Sequence, residues 1–148
     1  MILLAAALIA QDYPAFNRVD VEAICAVKVA GAYSEVYDSV EECVTDHYAD
    51  YRRFVLLTKR SGAILAPAFG KCIDDWTKDG KVDWGMVSMC AVDMVNGKRD
   101  VDMFSRAAPR ALRPKIDACV KYWTDEETRI VDWDMAGTCA SKVDLSGL

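Results

Sequence analysis

Apolar residues recur along this chain with the period of an α-helix. Phe69, Cys72, Ile73 and Trp76 stand at i, i+3, i+4 and i+7, and Ile116, Cys119, Val120 and Trp123 repeat the pattern. Trp84, Val87, Ala91 and Met94 form a second apolar stripe, matched by Trp133, Ala136, Ala140 and Val143. Val44, Tyr48, Tyr51 and Val55 predict a long helix over residues 43–60. Breakers or polar residues fall between these stripes, at Gly31–Ser34, Lys78-Asp79-Gly80-Lys81 and Asp125–Thr128. Pro67 and Pro114 suit a first helical turn, where the missing N–H costs nothing. Residues 98–113, which contain Pro109, read as the least regular stretch. No run alternates in the manner of a strand, so the expected fold class is all-α.

The cysteines turn this string of helices into a register. They occupy positions 25, 43, 72, 90, 119 and 139, so successive gaps are 18, 29, 18, 29 and 20, and a two-cysteine unit recurs every 47 residues with a two-residue insertion in its last copy. Between the second and third copies Leu65/Leu112, Pro67/Pro114, Trp76/Trp123, Thr77/Thr124, Asp83/Asp132 and Trp84/Trp133 coincide. The first copy is more divergent, with Tyr37 in the Trp84 column. The units span about residues 19–60, 64–108 and 111–148. Within each unit the turn lies about eight residues after the first cysteine and about ten before the second, which puts the two thiols level on an antiparallel helix pair. Across a 29-residue gap the offset is roughly 12 Å at 1.5 Å per residue. The expected bridges are therefore Cys25–Cys43, Cys72–Cys90 and Cys119–Cys139, each worth about 3 kcal/mol in the chain-entropy treatment. The expected architecture is a compact helical bundle of three disulfide-stapled α-hairpins, with the tryptophans mostly in hairpin packing.

Composition narrows the function classes. A length of 148 residues, 53% of them hydrophobic, fits one globular domain. A net charge of −5 without a basic stripe argues against a nucleic-acid partner. The apolar run at residues 1–10 reads as a signal peptide, leaving 11–148 as a single disulfide-rich domain. An even, ordered cysteine set agrees with a secreted, extracellular protein. No later apolar run reaches 18 residues, so no membrane span is expected.

Chemistry-bearing motifs are few. The stretch from Asp75 to Met86 resembles an EF-hand calcium loop, with Asp75, Thr77, Asp79 and Asp83 at the ligand positions and Gly80 at the turn, but Met86 stands where that loop needs a glutamate. The single histidine, His47, follows Asp46, the reverse of the order in secreted phospholipases A2, and reads as a surface residue on a helix. No Gly-x-Ser-x-Gly motif occurs, and one histidine with six bridged cysteines leaves little for zinc. Adjacent carboxylates such as Glu41-Glu42 and Asp74-Asp75 point about 100° apart on a helix and read as a solvated face. Lys59-Arg60 reads as a complement to a helix dipole. The chain resembles insect odorant-binding proteins in size and class only, since their Cys-x3-Cys and Cys-x8-Cys spacings are absent. The expectation is a secreted, non-enzymatic protein without a cofactor, acting on a protein partner. A carrier of a small apolar ligand is the alternative, and weak calcium binding the third reading.

Overall fold

The computed structural model describes residues 12–31 and 33–143; the expected signal segment, residues 1–10, lies outside the described residues. Six helices follow in order: α1 (Arg18–Ala30), α2 (Val40–Ser61), α3 (Ala66–Asp75), α4 (Trp84–Ala107), α5 (Arg113–Tyr122) and α6 (Trp133–Ser141). The fold is all-α, with one minimal antiparallel sheet of β1 (Thr77–Lys78) and β2 (Lys81–Val82).

Local chemistry explains the boundaries. Asn17 caps α1 by accepting from the N–H groups of Val19 and Asp20, and Ser39 caps α2 by accepting from Glu42. Glu41 and Glu42 sit in the first turn of α2 and Lys59 and Arg60 in its last, which complements the helix dipole at both ends. The helix stops at Gly62, whose φ of 68° suits glycine. Pro67 and Pro114 occupy the first turns of α3 and α5. The sheet was not expected: Asp79 and Gly80, at φ 51° and 74°, both take the positive φ of a two-residue hairpin turn. Residues 98–107 are also more regular than expected. They continue α4 through Ala107, and Pro109 falls just beyond the helix end.

The bridges Cys25–Cys43, Cys72–Cys90 and Cys119–Cys139 close the three hairpins, with Cα–Cα distances of 5.7, 5.8 and 5.7 Å. The second and third hairpins share several hydrogen bonds, though their turns differ. Thr77 and Thr124 each donate to a carbonyl four residues back, at 2.6 Å in both cases. Asp83 N–H donates to Trp76 O at 2.9 Å, and Asp132 N–H to Trp123 O at 2.8 Å. Asp83 and Asp132 then cap α4 and α6 by accepting from Met86 and Met135. The first hairpin departs from this scheme: α1 and α2 are joined by residues 31–39 with no strand pairing among the described residues.

Helix α4 is the shared element, packing most extensively against α6 and α2. Its Trp84 is buried, with ring centroids 4.8 Å from Tyr51 and 5.7 Å from Phe54. The α4–α6 crossing is closer still. A Cβ on Gly97 would lie 2.0 Å from Trp133 O, and one on Gly137 would lie 2.6 Å from Gly97 Cα. Only two glycines let these backbones touch. Trp133 is buried like Trp84, whereas Trp123 is half-buried and Trp76 is exposed, so the tryptophans divide between packing and surface.

Candidate functional site: a groove backed by a buried polar cluster

Helix α2 presents Cys43, His47, Asp50 and Phe54 at i, i+4, i+7 and i+11, so one face carries two polar groups inward between two apolar ones. His47 is therefore not the expected surface residue; it is 1% exposed. The α1–α2 staple forces this. Nitrogen of the His47 ring and the Sγ atoms of Cys25 and Cys43 lie within 4.8 Å of one another, so the ring sits beside the bridge that pins α1 to α2. Both sulfurs are spent in that bridge and offer no thiolate to a metal.

Lys28 from α1 and Asp83 from the start of α4 complete the cluster. Lys28 Nζ lies 2.7 Å from Asp83 Oδ2 and 3.3 Å from His47 Nε2, and His47 Nε2 lies 3.8 Å from Asp83 Oδ1. An ammonium can only donate, so Nε2 accepts from Lys28 and the ring proton resides on Nδ1. Burial holds the His47 pKa below the ordinary imidazole value, Lys28 adds to that, and Asp83, Asp50 and Asp46 oppose it. Burial raises the Asp50 carboxyl, against the pull of Arg53 and His47. Gly85 lies beside the cluster with room for a side chain: a Cβ there would make ordinary contact, 3.4 Å from Asp83 Oδ1 and 3.6 Å from Asp50 Oδ2. His47 Nδ1 and the Ser88 Oγ are buried without a hydrogen-bond partner of good geometry. With Ser88 fully buried, no substrate reaches its hydroxyl.

The outer wall of the cluster opens on a groove of about 660 Å³ between α1 and the β1–β2 hairpin. Ile24, Val27 and Trp76 supply its apolar surface, and Lys28 and Asp83 stand in its wall. Asp75, Asp79, Lys78 and Lys81 also line it. Val27 is 74% exposed and Trp76 41%. Lys78 and Lys81 are paired directly across the two strands, and neither is in an ion pair. A second hollow, of about 620 Å³, lies beside α5 among Asp117 and Lys121 of that helix and Glu126 and Arg129 of the loop after it, but shares no residue with the cluster and has a mainly charged rim. Between the hairpins, the space bounded by Ala68, Met94 and Ile130 measures about 60 Å³, room for a few waters and not for a fatty acid.

The four candidate residues of the calcium-like loop all line the groove, but they have other duties. Asp75 pairs with Lys71, Thr77 donates to Ile73 O, Asp79 makes the hairpin turn, and Asp83 caps α4 and holds Lys28. Among the described residues, the carboxylates of Asp75, Asp79 and Asp83 are not gathered into one cluster of donor atoms. No protein-family model, curated protein or solved structure matches the chain.

Proposed function

We propose that the protein is secreted and acts without catalysis, by docking a segment of a partner protein in the α1–hairpin groove. One observation carries this reading: an exposed tryptophan and valine flank a groove lined by two unpaired lysines and by Asp79 at the hairpin turn. The other two carboxylates in the lining, Asp75 and Asp83, are already paired with Lys71 and Lys28. Aromatic anchors inside a polar rim are the usual anatomy of an interface. Like charges directly opposite on a hairpin repel, and an acidic partner relieves that repulsion. The occupant is therefore a peptide segment with an apolar anchor flanked by a carboxylate. Three disulfides support an oxidising compartment. Among the described residues no helix is long and apolar enough to cross a membrane. The carrier alternative has less support, because the groove of about 660 Å³ lies open to solvent and the hollow bounded by Ala68, Met94 and Ile130 is too small for its cargo.

Selection of displayed random peptides against the folded protein tests the proposal. Enriched binders should combine an aromatic or aliphatic anchor with an acidic neighbour. Their affinity should fall about tenfold or more on Trp76→Ala, the effect of losing an interface anchor, and stay unchanged on Tyr122→Ala at a remote exposed aromatic. Stoichiometric, saturable uptake of a fluorescent fatty acid, insensitive to Trp76→Ala, would overturn it in favour of a carrier.

A further inference from the structure

His47 is the one buried ring of this fold whose protonation state its neighbours contest. The groups facing it come from every surrounding element. Lys28 projects from α1, with Tyr33 under its ammonium at 5.5 Å. Asp46 and Asp50 flank it on α2, Asp83 approaches from the start of α4, and Ser88 of α4 stands beside Asp50. Tyr37, between α1 and α2, feels the same three aspartates. The neutral ring accepts from Lys28. A protonated ring would carry N–H at Nε2, so two cationic donors would then face each other at 3.3 Å.

The geometry points to a proton-driven exchange in which His47 takes Asp83 from Lys28, and Lys28 is released into the groove. The unequal freedom of the two cations decides which of them moves. The His47 ring is 1% exposed and held against the Cys25–Cys43 bridge. Lys28 has a flexible four-carbon stem, a side chain 17% exposed, and a place in the groove wall. Asp83 Oδ1 already lies 3.8 Å from Nε2, one small adjustment from accepting its proton. The balance is simple. One proton passes from solvent to Nε2, no covalent bond to carbon, nitrogen or sulfur breaks, and the site gains one positive charge. The freed ammonium joins Lys78 and Lys81, so acidification strengthens the groove's preference for a carboxylate-bearing segment. This last consequence rests on the docking reading; the exchange itself does not.

Nuclear magnetic resonance on the free protein tests the exchange without any partner. His47 is the only histidine, so its Cε1–H signal is unique. It should titrate below the 6.5 of an unperturbed imidazole. The Lys28 Cε signals and the Trp76 indole N–H, assigned with Trp76→Phe, should shift with the same midpoint. His47→Gln should abolish that shared transition, and Lys28→Met should raise the His47 midpoint by removing the opposing cation. Should His47→Gln fail to fold, Lys28→Met at a partly exposed site decides alone. Lys28 and Trp76 signals that stay flat through the His47 midpoint overturn the proposal. So does a Lys28→Met midpoint that is unchanged or lower. Either result leaves the peptide-docking test standing, and loss of peptide docking leaves this one standing.

Discussion

Replacing Gly97 by alanine sets two effects of opposite sign against each other. Gly97 lies inside the 24-residue helix α4, where alanine is intrinsically favoured over glycine by about 1 kcal/mol. On propensity alone, Gly97→Ala stabilises. The crossing with α6 opposes it: the new methyl carbon would lie 2.0 Å from Trp133 O, 2.4 Å from Trp133 C and 2.7 Å from Asp134 Cα. All three are backbone atoms, so no side-chain rotation relieves the clash, and the two helices must separate by roughly 1 Å or more to restore ordinary contact. Separation loosens the packing of Trp133, Ala136 and Ala140, all buried on α6. Overpacking of a tight core costs about 1–3 kcal/mol and sometimes more, and this clash is against rigid backbone. A net loss of roughly 2–4 kcal/mol follows, or about 5–15 °C in Tm for a chain of this size. Thermal and urea unfolding followed by circular dichroism, disulfides intact, measures it. Gly85→Ala is the control, since a Cβ there meets its nearest neighbour at 3.4 Å in the same helix. It should be neutral or stabilising by up to about 1 kcal/mol. A Gly97→Ala protein as stable as the wild type would refute the close crossing.

Three further outcomes follow from the packing and the cluster. Because the His47 pKa is lower folded than unfolded, the unfolded chain binds more protons between those two values. Stability should therefore be full above about pH 6.5, the unperturbed imidazole value, and decline as pH falls toward the folded pKa; His47→Gln should flatten that segment of a urea-midpoint profile. Asp132→Ala removes a helix cap and should cost about 1 kcal/mol, whereas Asp83→Ala removes the same cap and also strands Lys28 beside His47, so it should cost distinctly more. Trp84→Ala should cost about 3–5 kcal/mol, because the ring is buried against Tyr51 and Phe54. Trp76→Ala should cost much less in stability while weakening peptide docking about tenfold or more, a contrast that unfolding and binding assays on the two variants would check.

Much of this architecture is legible in the amino-acid pattern because disulfides and hairpins share one geometry. Cysteines level across a turn could be paired from spacing, and Trp84 and Trp133 could be assigned to packing from their shared register. The α4–α6 crossing left no such mark, since Gly97 and Gly137 carry no side chain to enter an apolar stripe and read as weak points of a helix. The small sheet was hidden for a different reason. Asp79-Gly80 is a strong hairpin signal, but its strands are two residues each and lie between two helical stripes. The site was the least visible part. His47 looked exposed because histidine is polar, yet its spacing from Cys43 and Phe54 already placed it on the buried face of α2. Lys28 and Asp83 are 55 positions apart in sequence, and only the packing of α4 onto the first hairpin brings them together.

The docking groove is tested most directly by mapping where a selected acidic peptide perturbs the amide and indole signals of the folded protein. The account predicts shifts concentrated at Val27, Lys28, Trp76, Lys78 and Lys81, lost on Trp76→Ala. Shifts that instead gather beside α5 around Lys121 and Arg129, or around the hollow at Ala68, Met94 and Ile130, would contradict it.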